Sequence, residues 1–384
     1  MTHKSQPSNN NQHSNSNQDQ KNERIEPCYY GDYLKLAQFL DAQKPISGKY
    51  GEEAHDETLF IIVHQAYELW FKQILHELAS VFDVFKAEKV KDQQLTIVVH
   101  RLKRVVKIQA LLNQQIEIIE TMTPQDFLDF RNYLVPASGF QSIQFKVLEI
   151  SLGLKSQYRI DFDQQSFYNR LTDEHREFLQ GLEQQTSLFE LVENWLERMP
   201  FLEFGDFNFW QQYQQATIRM LAQEKEIIEN NQFLSAQERI QQLKEHKSTC
   251  ANFSALLDHD KFEQVRREGR FRLSQRATLA ALFISMYREE PALNLPFQFI
   301  TCLTDMDEML TLWRYKHMMM VQRMLGSKIG TGGSSGHDYL RKTTQSNRIF
   351  IDFFNLATFL LPKKALPTLP QQVKDALGYH FSHG

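Results

Sequence analysis

The stretch Asp56-Glu-Thr-Leu59-Phe60-Ile-Ile62-Val63-His64-Gln-Ala66-Tyr67-Glu-Leu-Trp70-Phe71-Lys-Gln-Ile74-Leu-His-Glu-Leu78-Ala-Ser-Val-Phe-Asp-Val-Phe85 decides the fold class. Leu59, Ile62, Val63, Ala66, Trp70, Ile74, Leu78 and Phe85 recur with the 3.6-residue period of a helix, and Asp56 is placed to cap its start. A second face carries Phe60, His64, Tyr67 and Phe71, so this helix is expected to be buried on two sides. A helix apolar on two faces belongs to the interior of a helical bundle.

Outward from it the same pattern continues. Thr123-Pro124-Gln125-Asp126 is a capping box with proline at the first helical position. Pro136 is expected to end that helix soon after Leu134. Ser138 to Gln141 reads as the next cap, with Gly153 as the stop. Pro200 closes a helix over Phe189–Met199, and Ser235-Ala-Gln-Glu238 opens another. No alternating strand run and no repeat stands out. Residues 1–24 are Asn, Gln, Ser and charge; such a segment cannot repay its ordering entropy and is expected to be a disordered tail. The expected organisation is therefore that tail followed by one all-α domain over residues 25–384.

Of 384 residues, 42% are hydrophobic and 29 are Phe, enough for a large ring-packed core. The net charge of −4 gives no global field to recruit nucleic acid or an anionic membrane. The run Arg266-Arg267-Glu268-Gly269-Arg270-Phe271-Arg272 is a local basic patch of the kind found at solvated helix ends. Three scattered cysteines (Cys28, Cys250, Cys302) form no metal or disulfide pattern. No apolar run approaches a membrane span or a signal core, so a cytoplasmic protein is expected.

Chemistry concentrates at three places. Around Trp313–Gly336, Leu310, Trp313, His317, Met320, Val321 and Met324 share one helical face, and the helix runs into the glycine cluster Gly330-Thr331-Gly-Gly-Ser-Ser-Gly336. A histidine in such a stripe is most often a satisfied core residue; the alternative is a metal ligand inside an apolar cofactor site. The glycine cluster lacks the GK[ST] ending of a phosphate loop and follows a helix rather than a strand. Its glycines suit a loop closing on something, with Thr331 at the rim. His64, beside Phe60 and Tyr67, suits a pocket wall. Glu68 lies one turn on, but a single His/Glu pair is a weak metal signal, and the one ExxH, Glu52–His55, falls where a loop is expected. Arg131 shares a face with Phe127, where a guanidinium needs an anion: an internal carboxylate or a substrate's, held in a bidentate grip.

Taken together, the stretches His55–Ile74, Phe130-Arg131-Asn-Tyr-Leu-Val-Pro136-Ala-Ser-Gly-Phe140-Gln-Ser and Trp313–Gly336 resemble the tryptophan 2,3-dioxygenase family, from about Tyr29 to the C-terminal region. The resemblance implies an all-α haem dioxygenase fold and a b-type, ferrous haem with His317 as its axial ligand. It implies O₂ as co-substrate and L-tryptophan as substrate, cleaved at the indole C2–C3 bond to N-formyl-L-kynurenine, the first step of the kynurenine route. By position, His64 faces the indole N–H, Arg131 takes the carboxylate, Thr331 helps hold the ammonium, and Phe60 and Phe127 wall the indole. Phe127 stands where some members carry Tyr. A homotetramer is implied, with Tyr30, Tyr33 and Leu34 completing a neighbour's pocket. A haem- or tryptophan-binding sensor without turnover, a broader indoleamine dioxygenase, and a purely helical interaction protein are the competing readings.

Overall fold

The computed structural model describes residues 26–159, 167–168, 171–326 and 336–378. The chain divides into two compact units, Met1–Lys44 and Pro45–Gly384. In the first, two short helices, α1 (Tyr30–Leu34) and α2 (Leu36–Phe39), are joined at Lys35, which takes a left-handed φ of 55°.

The second unit begins with α3 (His55–Phe85), α4 (Asp92–Ile119), α5 (Pro124–Arg131) and α6 (Ile143–Leu152). Next come α7 (Asp173–Glu183), α8 (Leu188–Glu197), α9 (Phe209–Asn230), α10 (Ala236–Leu257) and α11 (His259–Arg267). The last group is α12 (Gln275–Met286), α13 (Pro291–Leu325), α14 (Gly336–Ser346), α15 (Ile351–Asn355) and α16 (Gln371–Leu377). The fold is all-α, as expected. The one departure among the described residues is a two-residue hairpin, with Glu203 opposite Asn208 and Phe204 opposite Phe207. Its strands are too short to show an alternating pattern.

The two longest helices, α13 and α3, both pack on α4, and α13 runs along α4 most extensively. α12 is wholly buried from Ala277 to Met286, which makes it the most enclosed element of the core. No helix among the described residues is long and apolar enough to cross a membrane.

The capping boxes at Thr123 and Ser235 form as read from the sequence. Three boundaries differ. α3 starts at His55 with Ala54 as N-cap, so Asp56 sits in the first turn, where its charge complements the helix dipole without capping it. The start is anchored instead by buried Glu57, whose carboxylate accepts from the backbone N–H of Ile46 (2.7 Å) and Ser47 (3.0 Å). α5 stops at Arg131 and tightens into a 3₁₀ turn over Asn132–Leu134 before Pro136. Ser138 caps only a 3₁₀ turn; Ser142 caps α6.

Gly153 ends α6 at φ 130°, and a Cβ there would lie 2.7 Å from the Phe189 Cβ. Gly153→Ala is therefore expected to cost roughly 2–5 kcal/mol, combining a disallowed backbone with an overpacked contact. Urea unfolding reads this directly, and an unchanged midpoint would refute it.

Candidate active site

A cavity of about 310 Å³ opens between α3, α4, α5, α6, α13 and α14. α13 contributes Trp313, His317, Met320, Val321 and Met324, the face read from the sequence without Leu310, together with Arg314 and Leu325. α3 supplies Phe60, His64, Tyr67, Glu68 and Phe71, its second apolar face. α5 brings Phe127 and Arg131, whose spacing of four places both toward one side. Five residues distant in sequence, Phe60, His64, Phe127, Arg131 and His317, thus line one space.

His64 is defined by its neighbours. Its ring lies 4.1 Å from that of Phe60, and its Nδ1 is 2.7 Å from the Phe60 carbonyl oxygen. A carbonyl can only accept, so Nδ1 carries the proton and Nε2 keeps a free lone pair. By area the ring is exposed, yet its pKa is lowered. Burial is the main cause, opposed by the Phe60 carbonyl and by the Glu68 charge. The two observations agree if the open surface faces the cavity rather than bulk water. Glu68 is held in place by the Gln144 amide, which donates to its backbone oxygen and to Oε2, both at 2.8 Å.

His317 lies in a more apolar setting. Its ring stacks on Trp313 at 5.0 Å with planes 12° apart, and its Nδ1 is buried with no hydrogen-bond partner. Burial, then the nearness of His64, pushes its pKa down to about 4. It is a neutral imidazole at physiological pH, with a lone pair for an electrophile or a metal. Trp313 is in turn backed by Phe145 at 5.0 Å and by Tyr67 edge-on at 6.2 Å. The Tyr67 hydroxyl donates to the Leu112 carbonyl at 2.7 Å, and burial pushes its pKa up to about 12.

The depressed His317 value predicts a pH dependence. The unfolded imidazole takes up a proton as pH falls through about 6.5, whereas the folded ring resists until about pH 4. Ligand-free protein is therefore expected to lose about 3 kcal/mol from this residue across that window, and little more below it. Denaturant titrations at several pH values should show a slope that flattens in His317→Ala; an identical slope in that variant would refute it.

The far end of the cavity holds charges that the sequence reading did not single out. Arg314 forms a buried ion pair with Glu149 at 2.7 Å and donates to the Asn347 carbonyl at 2.8 Å. Lys146 donates to the Phe167 carbonyl at 2.7 Å and sits over that ring at 3.8 Å. Their signal was available: Lys146 and Glu149 are charges one turn apart within the apolar run Ile143–Leu152, and Arg314 lies one turn before His317. Thr331 lies outside the described residues. Tyr30, Tyr33 and Leu34 lie on α1 in the first unit, with their side chains exposed. No cluster of three or more metal-ligating side chains exists among the described residues. The three cysteines are free.

An enclosed aromatic cavity with two neutral imidazoles and a cationic end, inside an all-α bundle, is the site of a small-molecule enzyme rather than of an interaction module. A sequence profile of the tryptophan 2,3-dioxygenase family matches residues 14–360. Proteins of that name from Alteromonas mediterranea (63% identical, covering 93% of this chain and 99% of the relative) and Bdellovibrio bacteriovorus (46%, covering 92% and 99%) are similar over nearly their whole length. The mouse protein of the same name is 44% identical over 88% of this chain and 84% of its own. The chain belongs to the tryptophan 2,3-dioxygenase family and is an oxygen-using oxidoreductase of that family.

Proposed function

We propose that the chain binds a b-type haem through His317 and, with ferrous iron and O₂, cleaves the indole C2–C3 bond of L-tryptophan to give N-formyl-L-kynurenine, the entry to the kynurenine route. The observation that carries this reading is His317, a neutral imidazole on the wall of the cavity whose buried Nδ1 has no partner among the described residues. The lining suits an amphipathic macrocycle. Trp313, Met320, Val321 and Met324 offer an apolar bed, and Lys146 beside the Arg314–Glu149 pair leaves that end of the cavity with a net positive charge to face an acidic edge. Bound haem supplies the oxygen activation; the side chains bind, orient and keep out water.

The substrate is a zwitterion with a flat apolar ring. Arg131 takes its carboxylate in a forked grip, Thr331 meets its ammonium, and Phe60 and Phe127 flank the indole. The two rings are 5.8 Å apart, centre to centre. The Nε2 lone pair of His64 accepts the indole N–H, which orients the ring without requiring His64 to remove that proton. His64→Ala is accordingly expected to lower kcat/KM for L-tryptophan by about 3- to 10-fold, the worth of one net hydrogen bond. It should leave 1-methyl-tryptophan, which has no N–H, nearly unaffected; equal losses on both would refute the role.

Self-association as a homotetramer in the cytoplasm completes the proposal. α4 keeps Leu111 and Ile118 exposed, and α13 keeps Leu312, Tyr315 and Met319 exposed, apolar stripes suited to contact with another copy. The exposed Tyr30, Tyr33 and Leu34 are the residues assigned to a neighbour's pocket. The test of function is simple. Protein reconstituted with haem, reduced, and supplied with L-tryptophan and air should accumulate formylkynurenine absorbance. Fully ferrous protein that forms none would overturn the assignment and favour a sensor.

A further inference from the structure

Behind the Trp313 indole lies a second, much smaller space of about 10 Å³, room for a single small molecule. Its far wall is Ile74 from α3, Leu112 from α4, Leu148 from α6 and Leu310 from α13, all buried. Its near wall is Phe71, Phe145 and Trp313, three residues that also line the active-site cavity. The surface facing the void is wholly apolar. Met309 and Gln109 complete the lining; the Gln109 amide nitrogen and oxygen are buried without a hydrogen-bond partner among the described residues, and neither contributes to the surface of the void.

We propose that this void is a docking site for dioxygen, one aromatic layer away from the cavity where O₂ is consumed. A water molecule needs two to four polar partners; the surface facing this void is apolar and Gln109 is the single polar side chain in its lining, too few to hold a water. Dioxygen is small and apolar, needs no partner, and gains dispersion contacts from the surrounding side chains. The layer between the two spaces is built of rings packed at 5.0 Å (Phe145 to Trp313) and 5.4 Å (Phe71 to Phe145). The void thus holds the gas in reserve beside the cavity while tryptophan occupies it. The inference rests on the family's use of O₂ and not on the haem assignment.

The test uses crystals of the full chain under xenon pressure, since xenon occupies dry apolar cavities without turnover or cofactor. A xenon atom between Ile74, Leu112 and Leu148 is the expected result. A void that stays empty under xenon, or that holds an ordered water on the Gln109 amide, overturns the proposal. Leu112→Phe fills the space while keeping the backbone carbonyl that Tyr67 uses; Ile74→Met is the milder variant should the first fail to fold. Either is expected to exclude xenon and to raise KM for O₂ by about threefold or more, with KM for L-tryptophan and kcat at saturating O₂ unchanged. An unchanged KM for O₂ in a variant that excludes xenon overturns the docking role. Loss of haem binding would abolish the kinetics but leave the xenon result standing, so the two failures are distinct.

Discussion

His317→Ala protein, expressed with ample haem, is expected to purify without a Soret band and without dioxygenase activity. The imidazole is a neutral nitrogen donor in an apolar part of the cavity wall, a setting that suits an iron ligand. Burial holds it neutral with a pKa of about 4, and the Trp313 ring fixes its plane from one side. Losing a residue that merely orients a metal ligand costs about 10–100-fold in affinity, so losing the ligand itself should cost more. Apolar contact with Met320, Val321 and Met324 cannot replace a coordinate bond.

The loss should not come from unfolding. Nδ1 of His317 is buried without a partner, so in the ligand-free protein the ring already carries an uncompensated desolvation cost. Alanine removes that cost along with some packing, and the two changes oppose each other. Thermal melts of the haem-free proteins should therefore lie close together. Free imidazole added to the variant should restore part of the Soret absorbance by entering the space left behind. A variant that binds haem normally would refute the ligand assignment.

What the sequence reading resolved was set by how local each determinant is. The helix over His55–Phe85 was legible because its two apolar faces repeat with the backbone's own period, and the boxes at Thr123 and Ser235 because each is closed within four residues. Asp56 misled because a carboxylate near a helix start caps it or simply lies in the first turn. The choice fell to Glu57 reaching back ten residues to Ser47, a contact without periodic trace. The site shows the same division. The spacings of Phe60 with His64 and of Phe127 with Arg131 put each pair on one face, but nothing in either segment says that the faces meet across a cavity. Only the family resemblance joined them to His317. Lys146, Glu149 and Arg314 escaped notice because charges in an apolar helix read as errors of the pattern until their partner, contributed by another helix, is in view.

Arg131→Leu is expected to raise KM for L-tryptophan by about 10- to 150-fold, the equivalent of roughly 1.5–3 kcal/mol for a charge-assisted hydrogen bond. Two explanations of this arginine compete. It is the last residue of the eight-residue helix α5, where a cation complements the helix dipole, and that role alone is worth about 0.3–1 kcal/mol of stability. It also lines the cavity beside Phe127, where its fork suits a carboxylate. The explanations separate by ligand. Tryptamine has the indole and the ammonium but no carboxylate, so a carboxylate grip predicts that its affinity hardly changes in Arg131→Leu while that of L-tryptophan collapses. A helix-end role predicts a small fall in stability and the same small effect on both ligands. Arg131→Lys sharpens the distinction, because a lysine serves the dipole as well but offers a point charge in place of two parallel donors. Restored stability with tryptophan affinity still well below wild type supports the grip, and full recovery of both would reduce Arg131 to a helix-terminal charge.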